Sequence, residues 1–359
     1  MSSHGIIILT GVLAAAACAL PGTFLVLRRM SLIGDAISHA VLPGIVLAVL
    51  ITGELNSWPV LVGAGAVGLL TVFLIESLRN TRRVKEDAAI AIVFPALFAL
   101  GVLMVAQFAS QKHIDQECVL YGEIAYSRHD TIMMGAFEVA RAPLVLGAVA
   151  LFNLILILVF YKELKVATFD PAHAAAIGLS PVIVHYVLMG SVSLTTVASF
   201  ESVGAILVVA FLIVPAAAAH LWTDRLPVML ALAVLIGGAG AAGGYWLAAD
   251  IGASIAGCMA VMMGVLFAFS WLAAPREGVL GRFIRLRRSR TRFANALVLE
   301  RLEHSPADAA TLATTLAWPR AKVDEIVGFL TREELVVVEP GGMRPSPRGA
   351  AYVRRVVSD

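Results

Sequence analysis

Long apolar runs separated by short polar breaks fill the first three quarters of the chain. They fall at about 5–27, 32–52, 58–78, 88–108, 143–161, 182–200, 203–221, 227–248 and 252–274. Each run is close to the roughly 20 residues that a helix needs to cross the hydrocarbon of a bilayer. Because two of the later runs almost touch, we count eight or nine helices. The pattern predicts an all-α polytopic membrane protein.

Composition supports this class and excludes others. The chain of 359 residues is 59% hydrophobic and 14% charged, which is too apolar for a soluble domain of this length. Its three cysteines are far apart and form no CxxC pair, so neither a disulfide framework nor a thiolate zinc site is indicated. No GxxxxGK[ST] motif occurs. We therefore expect a chain that is not an enzyme and that does not bind and hydrolyse ATP by that route.

Basic residues in the short loops predict the orientation of the helices. With the N-terminus outside, the inner loops contain Arg28, Arg29, Arg79, Arg82, Arg83, Lys85, Lys162, Lys165, Arg225 and Arg276. The outer loops then contain only Lys112, Arg128 and Arg141. This excess predicts an outside N-terminus and a cytoplasmic C-terminus. The first apolar run has no basic segment before it and is too long for a signal peptide, so it is predicted to be a retained helix.

Charge becomes dense after the last apolar run. We divide the chain into a membrane domain (1–275), a basic linker (276–292) and a soluble domain (293–359). The soluble part shows helical periodicity in FANALVLERLEH, a capping aspartate before DAATLATTLAW and a proline at the start of PRAKVDEIVGFLTREE. LVVVE and MRPS then resemble two strands around a turn. Helix, helix, helix, strand, strand, helix is the order of a winged-helix α+β domain.

The most informative stretch is RRMSLIGDAISHAVLPG, residues 28–44. Asp35 and His39 are four residues apart, so on a helix they project from one face. Ionisable groups inside a membrane are costly and usually line a pathway or pair with something. A carboxylate and an imidazole make half of a site for a borderline divalent cation. A hydrogen-bonded pair that joins helices and a proton relay remain open alternatives.

The same stretch closely resembles the signature of the permease subunits of zinc, manganese and iron ABC importers. Three further segments are similar to that family: LYGEI at 120–124, DPAHAAAIGLSP at 170–181 and VGAILVVAFLIVPAAAA at 203–219. The resemblance spans about 5–275 and implies a type II-like ABC importer permease. The C-terminal segment resembles the winged-helix domains of iron-dependent repressors.

The resemblance implies a metal gate formed by Asp35 and His39. It also implies several partners: a separate ATP-binding subunit, a second permease subunit that is identical or paralogous, and a periplasmic or lipoprotein metal-binding protein. The expected cargo is a divalent Mn, Fe or Zn ion, with no permanently bound cofactor. The expected location is the bacterial cytoplasmic membrane. Two permeases that meet at a dimer axis would together supply four ligands.

The loop 162–181 is predicted to contact the ATPase. Asp170 and Pro171 are typical of a helix start, and Gly178 is typical of a helix end. Together with Ala174 they form the predicted coupling segment, an assignment that depends on the resemblance. Pro215 removes a backbone hydrogen bond from the seventh membrane helix and is a candidate hinge.

Other polar residues are weaker candidates for binding cations. His113, Asp115, Glu117 and Glu201 lie in or near outer loops, and His220 lies at an inner helix end. A solvated surface explains the outer residues better, and an interfacial position explains His220 better.

Two other functions compete with metal import. One is a membrane-anchored, metal-responsive transcriptional regulator. Its soluble part has nine basic residues, counting Arg292, against nine acids, and four of the acids lie in the expected recognition helix. This balance argues against nucleic acid as a partner. The other is an ABC permease for a siderophore or cobalamin, which would not require the Asp35–His39 pair.

Overall fold

A computed structural model of the protein describes residues 3–53, 58–81, 83–109, 124, 131–134, 137–275, 278–339 and 342–358. The chain forms two compact units, Met1–Arg276 and Glu277–Asp359, which we call the membrane unit and the C-terminal unit. Within the described residues, nine segments are long and apolar enough to span a membrane. The polytopic helical class predicted from the sequence is confirmed, and the count is the higher of the two expected.

The membrane unit is built almost entirely from helices. In chain order they are α1 (Ser3–Leu27), α2 (Ser31–Ala40), α3 (Leu42–Thr52), α4 (Trp58–Asn80), α5 (Glu86–Met104), α6 (Arg141–Val159), α7 (Tyr161–Phe169), α8 (Pro171–Ala176), α9 (Pro181–Val203), α10 (Ala205–Trp222), α11 (Leu226–Ile251) and α12 (Ile255–Ala273). A π-helical turn, Val105–Ala109, follows α5. Before α6, β1 (Thr131–Met134) pairs antiparallel with β2 (Phe137–Ala140).

The first helix is the centre of the membrane unit. It contacts α6, α9, α10 and α11, while α2 packs against α4, α5, α9 and α10. Fully buried apolar side chains fill the space between them, among them Phe24, Leu25, Ile37, Leu188 and Phe211. The second membrane segment is therefore enclosed by helices from both ends of the sequence.

A buried asparagine links three of these helices. The amide nitrogen of Asn153 on α6 donates to the carbonyl of Ala17 on α1 at 2.9 Å and to the Thr195 hydroxyl on α9 at 2.7 Å. The Ser191 hydroxyl donates to the amide oxygen at 2.8 Å. Such interhelical bonds contribute about 1 kcal/mol each in membranes. Asn153 therefore fixes how α1, α6 and α9 pack together.

The second membrane segment is broken, although the apolar run 32–52 predicts one helix. α2 ends at Ala40 and α3 begins at Leu42, with Val41 between them. Proline has no N–H, so Pro43 cannot bond to the carbonyl of His39 four residues earlier. Gly44 then permits close packing of α3 on α4, because a methyl group there would lie 2.4 Å from the Gly63 carbonyl oxygen.

The two closely spaced late runs are separate helices. α9 and α10 are joined by one residue, Gly204, with φ of +80°. That backbone angle is readily adopted only by glycine, so one residue is enough to end one helix and start the next.

The C-terminal unit is a small α+β body. Its elements are α13 (Val279–His304), α14 (Ala309–Thr315), α15 (Arg320–Arg332), β3 (Val336–Glu339), β4 (Gly342–Pro345) and α16 (Pro347–Ser358). β3 and β4 pair antiparallel, and Ala307 forms a bridge to Met343. The element order is the expected one, while the winged-helix assignment stays a prediction. Its core contains Leu299, Leu302, Leu312, Val323 and Leu330.

The stretch 276–292 is the predicted basic linker. From Val279 onward it is helical and continuous with the first helix of the soluble part, so that α13 runs to His304. No glycine or proline occurs between Gly281 and Pro306, and arginine, leucine and alanine favour helix. The high density of charge in this stretch indicates exposure to solvent and does not imply an irregular backbone.

Candidate functional site

The sequence-predicted pair lies on α2. His39 Nε2 is 3.5 Å from Asp35 Oδ1, and the two side chains are 31% and 43% exposed, respectively. The His39 ring lies beside two aromatic rings of α5, with centroids 6.0 Å from Phe94 and 6.2 Å from Phe98. The side chains of Asp35 and His39 therefore meet on one face of α2, as the i, i+4 spacing predicts.

The opposite face of α2 is buried. Ile33, Ala36 and Ile37 are at most 1% exposed, and Ser38 donates to the Gly34 carbonyl at 3.0 Å instead of to the pair. Burial of this face fixes the rotation of α2. Asp35 and His39 must therefore point away from the helix bundle core.

Chemically, the pair is an incomplete metal site. It offers a carboxylate oxygen and an imidazole nitrogen, donors that suit Zn, Mn and Fe. Elsewhere in the described part of the chain, no group of three or more His, Cys, Asp or Glu side chains lies close enough to hold a metal. A cation bound here would need further ligands from water, from another chain or from beyond the described residues. The break after α2 also leaves the His39 carbonyl without its helical N–H donor, next to the pair.

The predicted coupling segment is a short capped helix, α8. The Asp170 carboxylate accepts from the His173 N–H at 2.9 Å at its start, where Pro171 occupies the first turn. At its end, Leu179 N–H donates to the Ala174 carbonyl and Gly178 N–H to the Ala175 carbonyl. This is a Schellman cap, and Gly178 has the positive φ, +85°, that it requires.

The surface of this segment is apolar at its ends. Phe169 and Ile177, on either side of α8, are 57% and 54% exposed. α8 packs against α7 and α9. Ala174, by contrast with Phe169 and Ile177, is fully buried and is not part of the exposed surface.

A second polar site was not predicted from the sequence. It consists of Arg28, Glu76, Arg79, Glu86, Thr168 and His185, and we call it the Glu76 cluster. Arg79 pairs with Glu76 and with Glu86, each at 3.3 Å. His185 Nε2 lies 3.7 Å from Glu76 Oε2. The cluster joins α4, α5 and α9.

Arg28 extends the cluster to two more elements. From the turn after α1 its Nε donates to the Thr168 hydroxyl on α7 at 3.2 Å, and its Nη1 lies 3.4 Å from His185 Nδ1. Burial lowers the pKa of the Arg28 guanidinium below its usual value. The ends of α1 and α4 and the starts of α5 and α9 therefore meet on one side of the bundle, as alternating membrane helices require.

A signal for this cluster was present in the sequence. Glu76 and His185 are ionisable residues near the ends of apolar helices, and such residues usually have partners. Glu76 also precedes Arg79 by three residues, a spacing that permits an ion pair. The long-range contacts to His185 and Arg28 could not be read from spacing.

The remaining candidates are less informative. α10 runs without interruption through Pro215, which is buried, and its role as a hinge stays a prediction. His113, Asp115, Glu117, the segment 120–123 and the Glu201 side chain lie outside the described residues. His220 is partly buried near the end of α10, and its Nδ1 has no hydrogen-bond partner among the described residues.

Comparison with known proteins gives consistent results. A model of the ABC 3 transport family matches residues 6–274. The chain is 49% identical over 286 residues to the manganese transport system membrane protein MntD of Bacillus subtilis, covering 79% of this chain and 97% of that protein. It is 44% identical over 321 residues to the zinc transport system membrane protein TroD of Treponema pallidum, covering 89% and 84%. The latter match extends into the C-terminal unit, because the membrane unit ends at Arg276.

A solved structure has the same fold. PsaBC from Streptococcus pneumoniae, determined in complex with Fab, contains a chain that superposes with a TM-score of 0.66 at 29% identity. The match covers 80% of this chain and 96% of that chain.

Proposed function

The chain belongs to the ABC 3 transport family, and from that premise we propose that it is the membrane permease of an ATP-driven importer of Mn, Fe or Zn ions. Asp35 and His39 bind the transiting ion in this proposal. The observation that supports it most is the geometry of the pair: two metal-ligating side chains, 3.5 Å apart and partly exposed, on a membrane helix whose other face is buried.

The second half of the site comes from a second permease subunit. One chain supplies two ligands, and borderline divalent ions take four or more. A symmetric or paralogous partner that brings the same face of α2 to a common axis would complete the set. Partial exposure of both side chains supports this arrangement, because a pair buried within one chain would be inaccessible to a partner.

Energy enters through the loop that contains α8. We propose that the ATP-binding subunit contacts Phe169 and Ile177, the exposed apolar side chains at either end of α8. Caps at both ends make α8 rigid enough to transmit a displacement. α7 and α9, on which it packs, also contribute Thr168 and His185 to the Glu76 cluster.

The remaining parts of the proposal follow the same scheme. The protein is integral to the cell membrane, and the excess of basic residues in alternate loops supports an outside N-terminus. A metal-binding protein would deliver the ion from outside. The C-terminal unit would contact protein rather than DNA, because Asp324 and Glu325 are exposed on α15, the expected recognition helix.

Metal accumulation in proteoliposomes tests the assignment. The complete transporter, with its ATP-binding subunit and delivery protein, is given Mn, Fe or Zn and ATP, with the permease as wild type, Asp35→Asn or His39→Gln. We expect accumulation of one of the ions by the wild type and loss in both variants. Each replacement keeps the approximate size of the side chain and exchanges a carboxylate or imidazole for an amide, a much weaker ligand of these ions.

Asp87→Asn is the matched control. This exposed carboxylate lies in the first turn of α5, away from the pair, and its replacement should leave accumulation unchanged. Normal accumulation in Asp35→Asn and His39→Gln would refute the gate while leaving the transporter assignment intact. No ATP-dependent accumulation of any of the three ions by the wild type would refute the transporter assignment itself.

A further inference from the structure

An apolar stripe runs along the outside of α13. Val279, Phe283, Leu286, Phe293 and Leu297 are between 42% and 62% exposed. Their spacings of four, three, seven and four residues place them on one side of a helix. Five exposed large apolar side chains in one row are unusual for a surface in water.

The stripe lies opposite the face that packs into the C-terminal unit. Val298, Leu299 and Leu302 of α13 are at most 1% exposed and belong to the core of that unit. At roughly 100° per residue, Leu299 and Leu302 lie nearly half a turn from the stripe and Val298 lies about a quarter turn from it. The helix can therefore hold the core on one side and present the stripe on the other.

Charge in the first part of the same helix has a single sign. The segment 279–292 contains six arginines and no acidic residue. Arg282, Arg290 and Arg292 are exposed, and Arg290 falls inside the stripe. Only residues 274–278 separate α13 from the end of the last membrane helix, and a fully extended chain of that length spans about 20 Å.

We propose that residues 279–297 of α13 bind the surface of an anionic phospholipid bilayer. The apolar stripe would enter the boundary between headgroups and acyl chains, and the arginines would contact lipid phosphates. Arg290 extends from the stripe to the headgroups, as long basic side chains do at interfaces. A second copy of the helix fits less well, since it would place six arginines against six and Arg290 within an apolar seam.

Lipid quenching of a fluorescent label tests this proposal in the full-length chain. Cys18, Cys118 and Cys258 are replaced by serine or alanine, and a single cysteine is introduced as Leu286→Cys or Phe293→Cys and labelled. The protein is placed in nanodiscs of phosphatidylcholine, or of phosphatidylcholine and phosphatidylglycerol in equal parts, with spin-labelled lipid as quencher. We expect several-fold stronger quenching with phosphatidylglycerol, decreasing as salt is added.

Two controls make the result specific. Phe329→Cys labels an exposed position on α15, which packs against the buried side of α13, and should show little quenching in either nanodisc. Replacing Arg282, Arg290 and Arg292 with glutamine should remove the preference for phosphatidylglycerol. Equal quenching of Leu286→Cys in both nanodiscs would overturn the proposal. So would cross-linking of two copies through position 286 without lipid quenching, because that identifies the stripe as a dimer contact.

Discussion

Two groups of ionisable residues in the described part of the membrane unit satisfy their charges in opposite ways. In the Glu76 cluster, carboxylates, guanidinium groups and imidazole pair with one another across helices. Among the described residues, Asp35 and His39 contact each other and His39 lies beside two aromatic rings, and more than half of the Asp35 side chain is buried. An ionisable group in a membrane is costly unless it is paired. Among the described residues, the Asp35–His39 pair therefore keeps coordination capacity that the chain does not use. The charges of the cluster are paired with one another, although Arg28 Nη2, Glu76 Oε2 and His185 Nε2 have no hydrogen-bond partner in the described part of the chain.

This difference separates two roles that look alike in sequence. A charged residue whose partners lie within the chain holds helices together, and its loss should lower stability. A charged residue that remains available should matter for transport and little for stability. A variant of the Asp35–His39 pair should therefore impair transport with little change in stability, and a variant of the Glu76 cluster should lower stability with little change in metal binding.

The largest effect is expected for Asp35→Ala. Removing a direct metal ligand should reduce affinity for the transported ion by about a hundredfold or more. The midpoint of thermal unfolding of the metal-free protein should stay within a degree or two, because the carboxylate has one partner and is partly exposed. Binding titrations and thermal melts of the same preparation measure both quantities. A lowered midpoint with unchanged affinity would reverse the assignment and make the pair structural.

Glu76→Ala should give the reverse. It leaves Arg79 and His185 without their shared carboxylate in a site where Glu76 is 15% exposed. We expect a loss of about 2 kcal/mol in the free energy of unfolding in detergent, since breaking a largely buried ion pair leaves uncompensated charge. Metal affinity of the protein that remains folded should be unchanged. Glu76→Gln, which keeps a hydrogen-bond acceptor, should lose less, and equal stability of wild type and Glu76→Ala would contradict the structural role.

A third variant separates coupling from both polar sites. Gly178→Ala forces a side chain onto a backbone with φ of +85° but meets no atom within 4 Å, so its cost is about 1 kcal/mol of local strain. We expect less transport per ATP hydrolysed, with metal affinity and overall stability close to wild type. Gly178→Asn should restore coupling in part, because asparagine tolerates positive φ. Full coupling in Gly178→Ala would argue against a role for the cap of α8.

The smallest effect belongs to an exposed carboxylate in the C-terminal unit. Asp308 accepts from the backbone N–H of Thr311 at 2.9 Å and from its hydroxyl, and these bonds lower the pKa of Asp308 below 3.8. A lowered folded-state pKa means that its contribution is fully present above the unfolded value and is lost as pH falls through the folded value. The protection of the Thr311 amide, measured as its hydrogen-exchange rate relative to that of the unfolded chain at the same pH, should therefore fall only in acid. Asp308→Ala should abolish that pH dependence together with the cap. Asp308→Asn should keep the cap and lose the pH dependence.

Much of the fold was predictable because lipid leaves few choices. Apolar runs of membrane length must be helical, and the nine segments match the runs in the sequence closely. The i, i+4 spacing was sufficient to bring Asp35 and His39 together. The break at Val41 was not predicted, because the run 32–52 stays apolar through Pro43. Hydropathy is insensitive to the backbone N–H that proline lacks.

Contacts between helices that are far apart in the chain could not be predicted from the sequence. Arg28 meets His185 across more than 150 residues, and nothing in either local pattern identifies the other. The sequence correctly places Ala174 in a short capped helix, but only the structure shows that this residue is buried. The basic residues after Pro275 locate the charge in the sequence, but they do not predict that one helix, α13, continues through this stretch to His304.

Asn153 has a consequence for the order in which the protein is assembled in the membrane. The ribosome delivers α1 and α6 before α9, so the newly inserted amide can reach the Ala17 carbonyl but not yet the Thr195 or the Ser191 hydroxyl. Until α9 arrives, one of its N–H groups and its oxygen must be satisfied by water, lipid headgroups or the insertion machinery. The arrival of α9 then completes the network, so biogenesis contains a late docking step that the finished structure conceals.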